Sequence, residues 1–134
     1  MAFLNRETGE MCFADGLRLC AGFAMGEVAQ LLDGRTMGLV RLPSHPVSGG
    51  RLIAICTVED GSVQSVALCV SSIGGKAVNT SARQRAFLFA RLGLCDPDPE
   101  GMGCVRIACP FGQIHLITDP HTGRCEARIL YAAH

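Results

Sequence analysis

At 134 residues the chain is long enough to bury a core without metal or disulfide staples. Its 12 basic and 12 acidic side chains cancel, which excludes a global field that would recruit nucleic acid or anionic lipid. Apolar residues make up 49% but aromatics only 5%, so the core must be built from Leu, Ile, Val, Ala and Cys.

The first residues hold no basic segment followed by an apolar run, and nothing approaches the ~20 apolar residues of a membrane span. Cys12 follows no hydrophobic leader. A cytoplasmic protein is expected. Glu10 to Phe13 and Leu17 to Cys20 flank Ala14-Asp15-Gly16 and read as a hairpin. From about Ala24 to Asp33 the pattern is helical: Val28, Leu31 and Leu32 fall at i, i+3, i+4, and Gly34 is placed to end the helix.

Thr36 to Leu42 reads as a short strand that runs into a loop at Pro43-Ser44-His45-Pro46. Arg51 to Val58 and Val63 to Ser71 enclose Glu59-Asp60-Gly61-Ser62, and Asp-Gly is the strongest short hairpin signal. Uninterrupted pairing from that turn sets Val58 opposite Val63, Ile55 opposite Val66 and Ile53 opposite Leu68. It predicts a core face of Ile53, Ile55, Val66, Leu68 and Val70. The other face, from Leu52, Ala54, Cys56 and Val58 to Val63, Ser65, Ala67 and Cys69, is apolar with a small-residue middle. A one-sided sheet would carry polar residues there. Either the hairpin is central and covered on both sides, or that face is a docking surface.

A second helix is expected from about Ser81 to Gly93, with Thr80 or Ser81 as N-cap and Gly93 as stop. Its apolar arc holds Ala82, Ala86, Leu88, Phe89 and Leu92, while Arg83, Phe87 and Arg91 form a stripe at i, i+4, i+8 on the opposite side. Arg85, near the apolar arc, extends its head group to water in this reading. Cys95 to Gly103 is a loop, and strands close the chain. With no repeat, linker or low-complexity tract, residues 1–134 form a single domain.

In the tail, Phe111 to Thr118 and Arg124 to Ala132 are strands joined by Asp119-Pro120-His121-Thr122-Gly123. Pro120 pre-sets the turn, Asp119 can bond its own backbone two residues on, and Gly123 takes the positive φ. Pairing Asp119 with Arg124 sets Leu116 opposite Ala127, Ile114 opposite Ile129 and Gly112 opposite Tyr131 on the buried face. On the other face His115 meets Arg128, Gln113 meets Leu130, and Ile117 meets Glu126. Gln113, His115, Glu126 and Arg128 thus share one polar patch.

The eight cysteines include no Cys-x-x-Cys pair, and several sit among apolar neighbours as reduced packing residues. A zinc site would need His115, His121 and Cys125 together, but the register points His115 and Cys125 to opposite faces. No metal, cofactor or catalytic residue is assigned. Gly-x-Ser-x-Gly and dinucleotide fingerprints are absent, and Gly74-Gly75-Lys76 lacks the spacing of a phosphate loop. Three arginines without a stacking platform do not make a nucleic-acid surface.

Gly22-Phe23-Ala24-Met25-Gly26-Glu27-Val28-Ala29-Gln30-Leu31-Leu32 resembles the Gly-x-Thr-x-x-Glu-Val-x-x-Leu-Leu helix start of small α+β inhibitor and assembly modules. These include β-lactamase-inhibitor-like proteins and a small outer-membrane assembly lipoprotein. Ala24 stands where those modules carry the capping Thr. The tail, from Phe111-Gly112-Gln113-Ile114 to Ile129-Leu130-Tyr131, resembles the closing hairpin of small bacterial proteins, some of them immunity proteins to toxins. The resemblance implies an α+β fold, an antiparallel sheet built from hairpins with two short helices packed on it, that works by binding another protein. The expected function is a cytoplasmic immunity protein that occludes a cognate toxin. Its contact is either Gln113, His115, Glu126 and Arg128, or the Arg83, Phe87, Arg91 stripe. Immunity proteins to nuclease toxins are often acidic and this chain is not, so the expected target is not a strongly basic nuclease. A small-ligand or metal-binding protein using the small-residue face and cysteines is the alternative, and a small enzyme comes third.

Overall fold

The Asp60-Gly61 turn organises the chain. Asp60 (φ 51°) and Gly61 (φ 74°) both take left-handed backbone, the requirement of a two-residue turn that matches strand twist. They join β6 (Gly50–Glu59) to β7 (Ser62–Ile73), the two longest strands. The structure is a computed structural model and describes residues 2–78, 80–98, 103–119 and 121–132.

Around that hairpin an antiparallel sheet assembles. Its members are β3 (Gly22–Phe23), β4 (Gly38–Arg41), β5 (His45–Val47), β8 (Gly103–Cys109), β9 (Gly112–Asp119) and β10 (Arg124–Tyr131). The strand order is β4-β6-β7-β10-β9-β8, with β3 on β7 and β5 on β6. A separate ribbon pairs β1 (Met11–Cys12) with β2 (Arg18–Leu19), the expected first hairpin shortened to two residues a side. Two helices, α1 (Gly26–Leu32) and α2 (Ser81–Leu92), complete a mostly antiparallel α+β fold.

The register of β6 against β7 differs from uninterrupted pairing. Val58 does face Val63, but the next pair is Thr57 with Ser65, so Gln64 is an extra residue, a β-bulge. A one-residue slip exchanges the faces. Ile55 therefore meets Ala67 and Ile53 meets Cys69, while Cys56 meets Val66 and Ala54 meets Leu68. The core face is Leu52, Ala54, Cys56 and Val58 with Val63, Val66 and Leu68, all buried. Ile53 and Ile55, expected inside, lie on the other side at intermediate exposure with Ser65, Ala67 and Cys69. The hairpin is central but covered on one side only.

The tail pairs in the expected register throughout, from Arg124 with Asp119 to Tyr131 with Gly112. Ile114, Leu116, Ala127 and Ile129 are fully buried beneath it. In the turn, the His121 N–H donates to Asp119 Oδ1 at 2.9 Å and Gly123 has φ 70°. Pro120 lies outside the described residues.

Other elements depart from the expected ones. Pro43 to Pro46 is not wholly loop, since His45–Val47 pairs with Gly50–Leu52 at a sheet margin, where a proline costs no ladder bond. Helix α1 begins at Gly26 because Met25 is extended, and the left-handed C-cap is Asp33 (φ 52°). Thr80 occupies the N-cap of α2 without a side-chain cap bond, and Gly93 (φ 72°) ends the helix as expected.

Helix α2 buries Gln84, Arg85, Leu88, Phe89 and Leu92, whereas Ala82 and Ala86 face solvent. Arg85 does not reach water: it is 2% exposed. Its Nε and Nη2 donate to Asp96 Oδ2 and Oδ1 at 2.6 and 2.9 Å, and Nη1 donates to Thr118 Oγ1 at 3.0 Å. Gln84 Oε1 accepts the Cys125 N–H at 3.0 Å, while its Nε2 donates to the Val78 and Gly123 carbonyls. These bonds fasten α2 across the inner face of β9 and β10. The hydrogen bonds from Arg85 hold the Asp96 carboxyl below its ordinary 3.8. That contribution is full above 3.8 and is lost as pH falls through the depressed value. Replacing Asp96 with Ala should cost roughly 3 kcal/mol at neutral pH by stranding a buried guanidinium. In urea melts, a cycle with Arg85→Met should show a coupling that disappears once Asp96 protonates. An unchanged coupling at acid pH would exclude this linkage.

Candidate functional site: the outer face of the sheet

Both helices and the ribbon lie on the inner side of the sheet, which leaves the outer face to solvent. Cross-strand registers define what it presents. One row runs Arg41, Ile55, Ala67, Arg128, His115, Arg106, each the direct partner of the next across β4, β6, β7, β10, β9 and β8. The row on one side is Ile53, Cys69, Glu126, Ile117, Cys104, and on the other Leu39, Thr57, Ser65, Leu130, Gln113, Ala108. Directly opposed side chains have Cβ atoms roughly 5 Å apart.

Gln113, His115, Glu126 and Arg128 are thus brought together as the tail register requires. Arg128 Nε donates to Glu126 Oε1 at 3.1 Å, and His115 Nε2 lies 2.8 Å from Gln113 Oε1. Partial burial pushes the His115 pKa down, and the positive charges of Arg106 and Arg128 push it the same way. Arg106 makes no ion pair among the described residues.

The Arg83, Phe87, Arg91 stripe has a different setting. Phe87 packs against the Gly49–Gly50 turn, so closely that a Cβ on Gly50 would meet the Ser72 carbonyl oxygen and the Phe87 ring. Arg91 lies over the Phe87 ring at 5.3 Å and donates to the Ser48 carbonyl. Phe87 and Arg91 hold the loop before β6, and Arg83 alone of the three stays exposed.

Sequence periodicity missed the exposed apolar side chains of residues 23–39. The exposed large hydrophobic side chains among the described residues are Phe23, Met25, Leu31, Met37 and Leu39, with Phe23 at 80% and Leu39 at 69%. Phe23 pairs with Ser62, whose neighbour Val63 points inward, so Phe23 stands on the outer side. The adjoining loops are tied to the central turn: Ala24 N–H donates to the Gly61 carbonyl at 2.9 Å, and Gly61 N–H to that of Thr36 at 2.8 Å. Leu39 belongs to this group and to the row that includes Gln113. A signal was available, because Phe23 and Met25 precede the helical set and Leu39 alternates with buried Val40.

Two further features are accessible. A cleft of about 630 Å³ opens beside the 121–124 turn, with Ile53, Ile55 and Val70 among its walls and exposed Arg41 and Arg124 lining it. Cys69 and Cys125 also line it. Burial pushes both thiols up and raises Cys56 to about 11, so none of the three is poised as a thiolate nucleophile. Elsewhere, His45 Nδ1 lies 2.7 Å from Asp15 Oδ2, and its Nε2 lies 3.2 Å from Glu27 Oε2, off the line of a hydrogen bond. That contact joins the β1–β2 loop, α1 and β5. Among the described residues no three His, Cys, Asp or Glu side chains could hold a metal ion, and no helix is long and apolar enough to cross a membrane.

No protein-family description, curated protein or solved structure matches this chain.

The arginines beside His115 carry a direct consequence. His115 should titrate below 6.5, and Arg106→Gln or Arg128→Gln should each bring its pKa back toward that value. Histidine ring NMR shifts followed against pH measure this. A pKa that ignores both substitutions would exclude their field.

Proposed function

We propose that this chain is a protein-binding module that uses the outer face of its sheet, most concretely an immunity protein neutralising a bacterial toxin in the cytoplasm. It acts by occlusion with a preformed surface and without chemistry of its own. The observation that carries the reading is the exposure of large apolar side chains. Phe23, Met25, Leu31, Met37 and Leu39 fall within one segment of the chain, and Phe23 and Leu39 stand on the face that bears Arg41, Arg106 and Arg128. Monomeric proteins rarely leave such a group uncovered, and Met, aromatic and Arg side chains are enriched where partners meet.

The closing hairpin resembling those of immunity proteins supports the same reading. In this proposal Gln113, His115, Glu126 and Arg128 lie within the contact, and Arg83, Phe87 and Arg91 do not contribute to it. A second reading, a small-ligand site, rests on the cleft beside the 121–124 turn. Stoichiometric small-molecule retention after gentle purification, lost on Ile55→Trp, would favour it.

The test is co-purification with the product of the adjacent gene and protection of cells from it. Phe23→Asp and Leu39→Asp should leave the thermal midpoint nearly unchanged, because both side chains are exposed, yet weaken the complex about tenfold or more. Arg128→Glu should abolish protection. Full protection by all three variants would overturn this placement of the surface.

A further inference from the structure

The middle row of the outer face holds, besides Arg41 at its β4 end, two arginines where a sheet would ordinarily separate like charge. Arg128 on β10 and Arg106 on β8 both oppose His115 on the strand between them. Adjacent strands are about 4.8 Å apart, which places the two arginine backbones roughly 10 Å from one another. Like charges this near on one face repel, and each also disfavours protonation of the histidine between them.

A single arginine on β8 has a ready explanation, since a charge on an outermost strand blunts edge-to-edge pairing. Arg128 has none, because β10 is interior, paired with both β7 and β9. The charged groups around His115 are Arg106 from β8, and Arg128 and Glu126 from β10. Its own strand contributes Gln113 and Ile117, and β7 beyond Arg128 contributes Ala67 and Cys69. Glu126 is engaged with Arg128, which leaves Arg106 without a carboxylate partner among the described residues.

We propose that Arg106, His115 and Arg128 together seat a carboxylate side chain of the partner protein, so the partner surface is acidic where it meets β8, β9 and β10. This rests on the outer face being the contact surface. A carboxylate set over His115 receives charge-assisted hydrogen bonds from one or both guanidinium groups. If His115 Nε2 carries the proton toward Gln113, Nδ1 remains open. A neighbouring anion favours adding a proton there, which supplies a third cationic contact. Binding of the carboxylate and protonation of His115 are therefore linked, each favouring the other. A second copy of this chain is a poor occupant, because a two-fold contact centred here would set one arginine row against another.

The probe is a short glutamate homopeptide, titrated at low ionic strength into the whole protein while His115 is followed by NMR. Low salt matters because exposed charges are screened over about 10 Å at 0.1 M. The peptide should raise the His115 pKa, and a glutamine homopeptide should not. Arg106→Gln and Arg128→Gln should each weaken binding about fivefold or more, and the pair together should abolish it. Arg83→Gln, on the far side of the molecule, should change nothing. Absence of a His115 response, or a response indifferent to both arginines, overturns the proposal. So does inorganic phosphate acting as well at equal concentration, which would make the row a general anion site. Failure of Phe23→Asp to weaken the partner complex is a separate result: it removes the surface reading, while the peptide titration judges the carboxylate seat alone.

Discussion

The bulge at Gln64 is the constraint on which the rest depends. It lets Val63 and Val66 both point inward and, with them, the even-numbered residues of β6. Without it, Ile53 and Ile55 would be core residues and the small side chains would line the open face. The extra residue also increases local twist. Because every outer strand takes its register from this hairpin, one inserted residue decides which side α2 covers and which side stays open.

On the covered side, polar groups do what apolar packing alone would not. Arg85 and Gln84 are buried, and their hydrogen bonds go to named partners in the tail and in the segments flanking α2. Such a network fixes the rotation of α2 about its axis, since a turn in either direction would strand several buried groups at once. The same rotation sends Phe87 and Arg91 to the loop before β6. A helical-wheel reading sees their residue types but not the loop that takes them up.

On the open side, function and stability pull apart. Cross-strand arginines and exposed Phe, Met and Leu side chains do little for folding, and the rows they occupy could have been filled with Thr or Lys at no cost to the core. The proposed interaction surface would account for their presence. Its two parts, apolar near the central turn and basic toward β8, are spanned by one row in which Thr57 and Ser65 lie between Leu39 and Leu130.

The tail hairpin was fully legible, because turn residues and strict alternation over eight positions leave one register for Ile114, Leu116, Ala127 and Ile129. That register placed Gln113, His115, Glu126 and Arg128 on a common face, and it separated His115 from Cys125. What could not be read was anything set by an irregularity or a distant partner. Gln64 has no property that marks it as a bulge, the fate of Arg85 depended on Asp96 and Thr118, and Arg106 reached His115 only once β8 had paired. The sequence by itself determined the local turns, the alternation and the aliphatic core. Which alternating face became the inside was decided by the tertiary structure, because a face is chosen by what covers it, and coverage is a property of the whole chain.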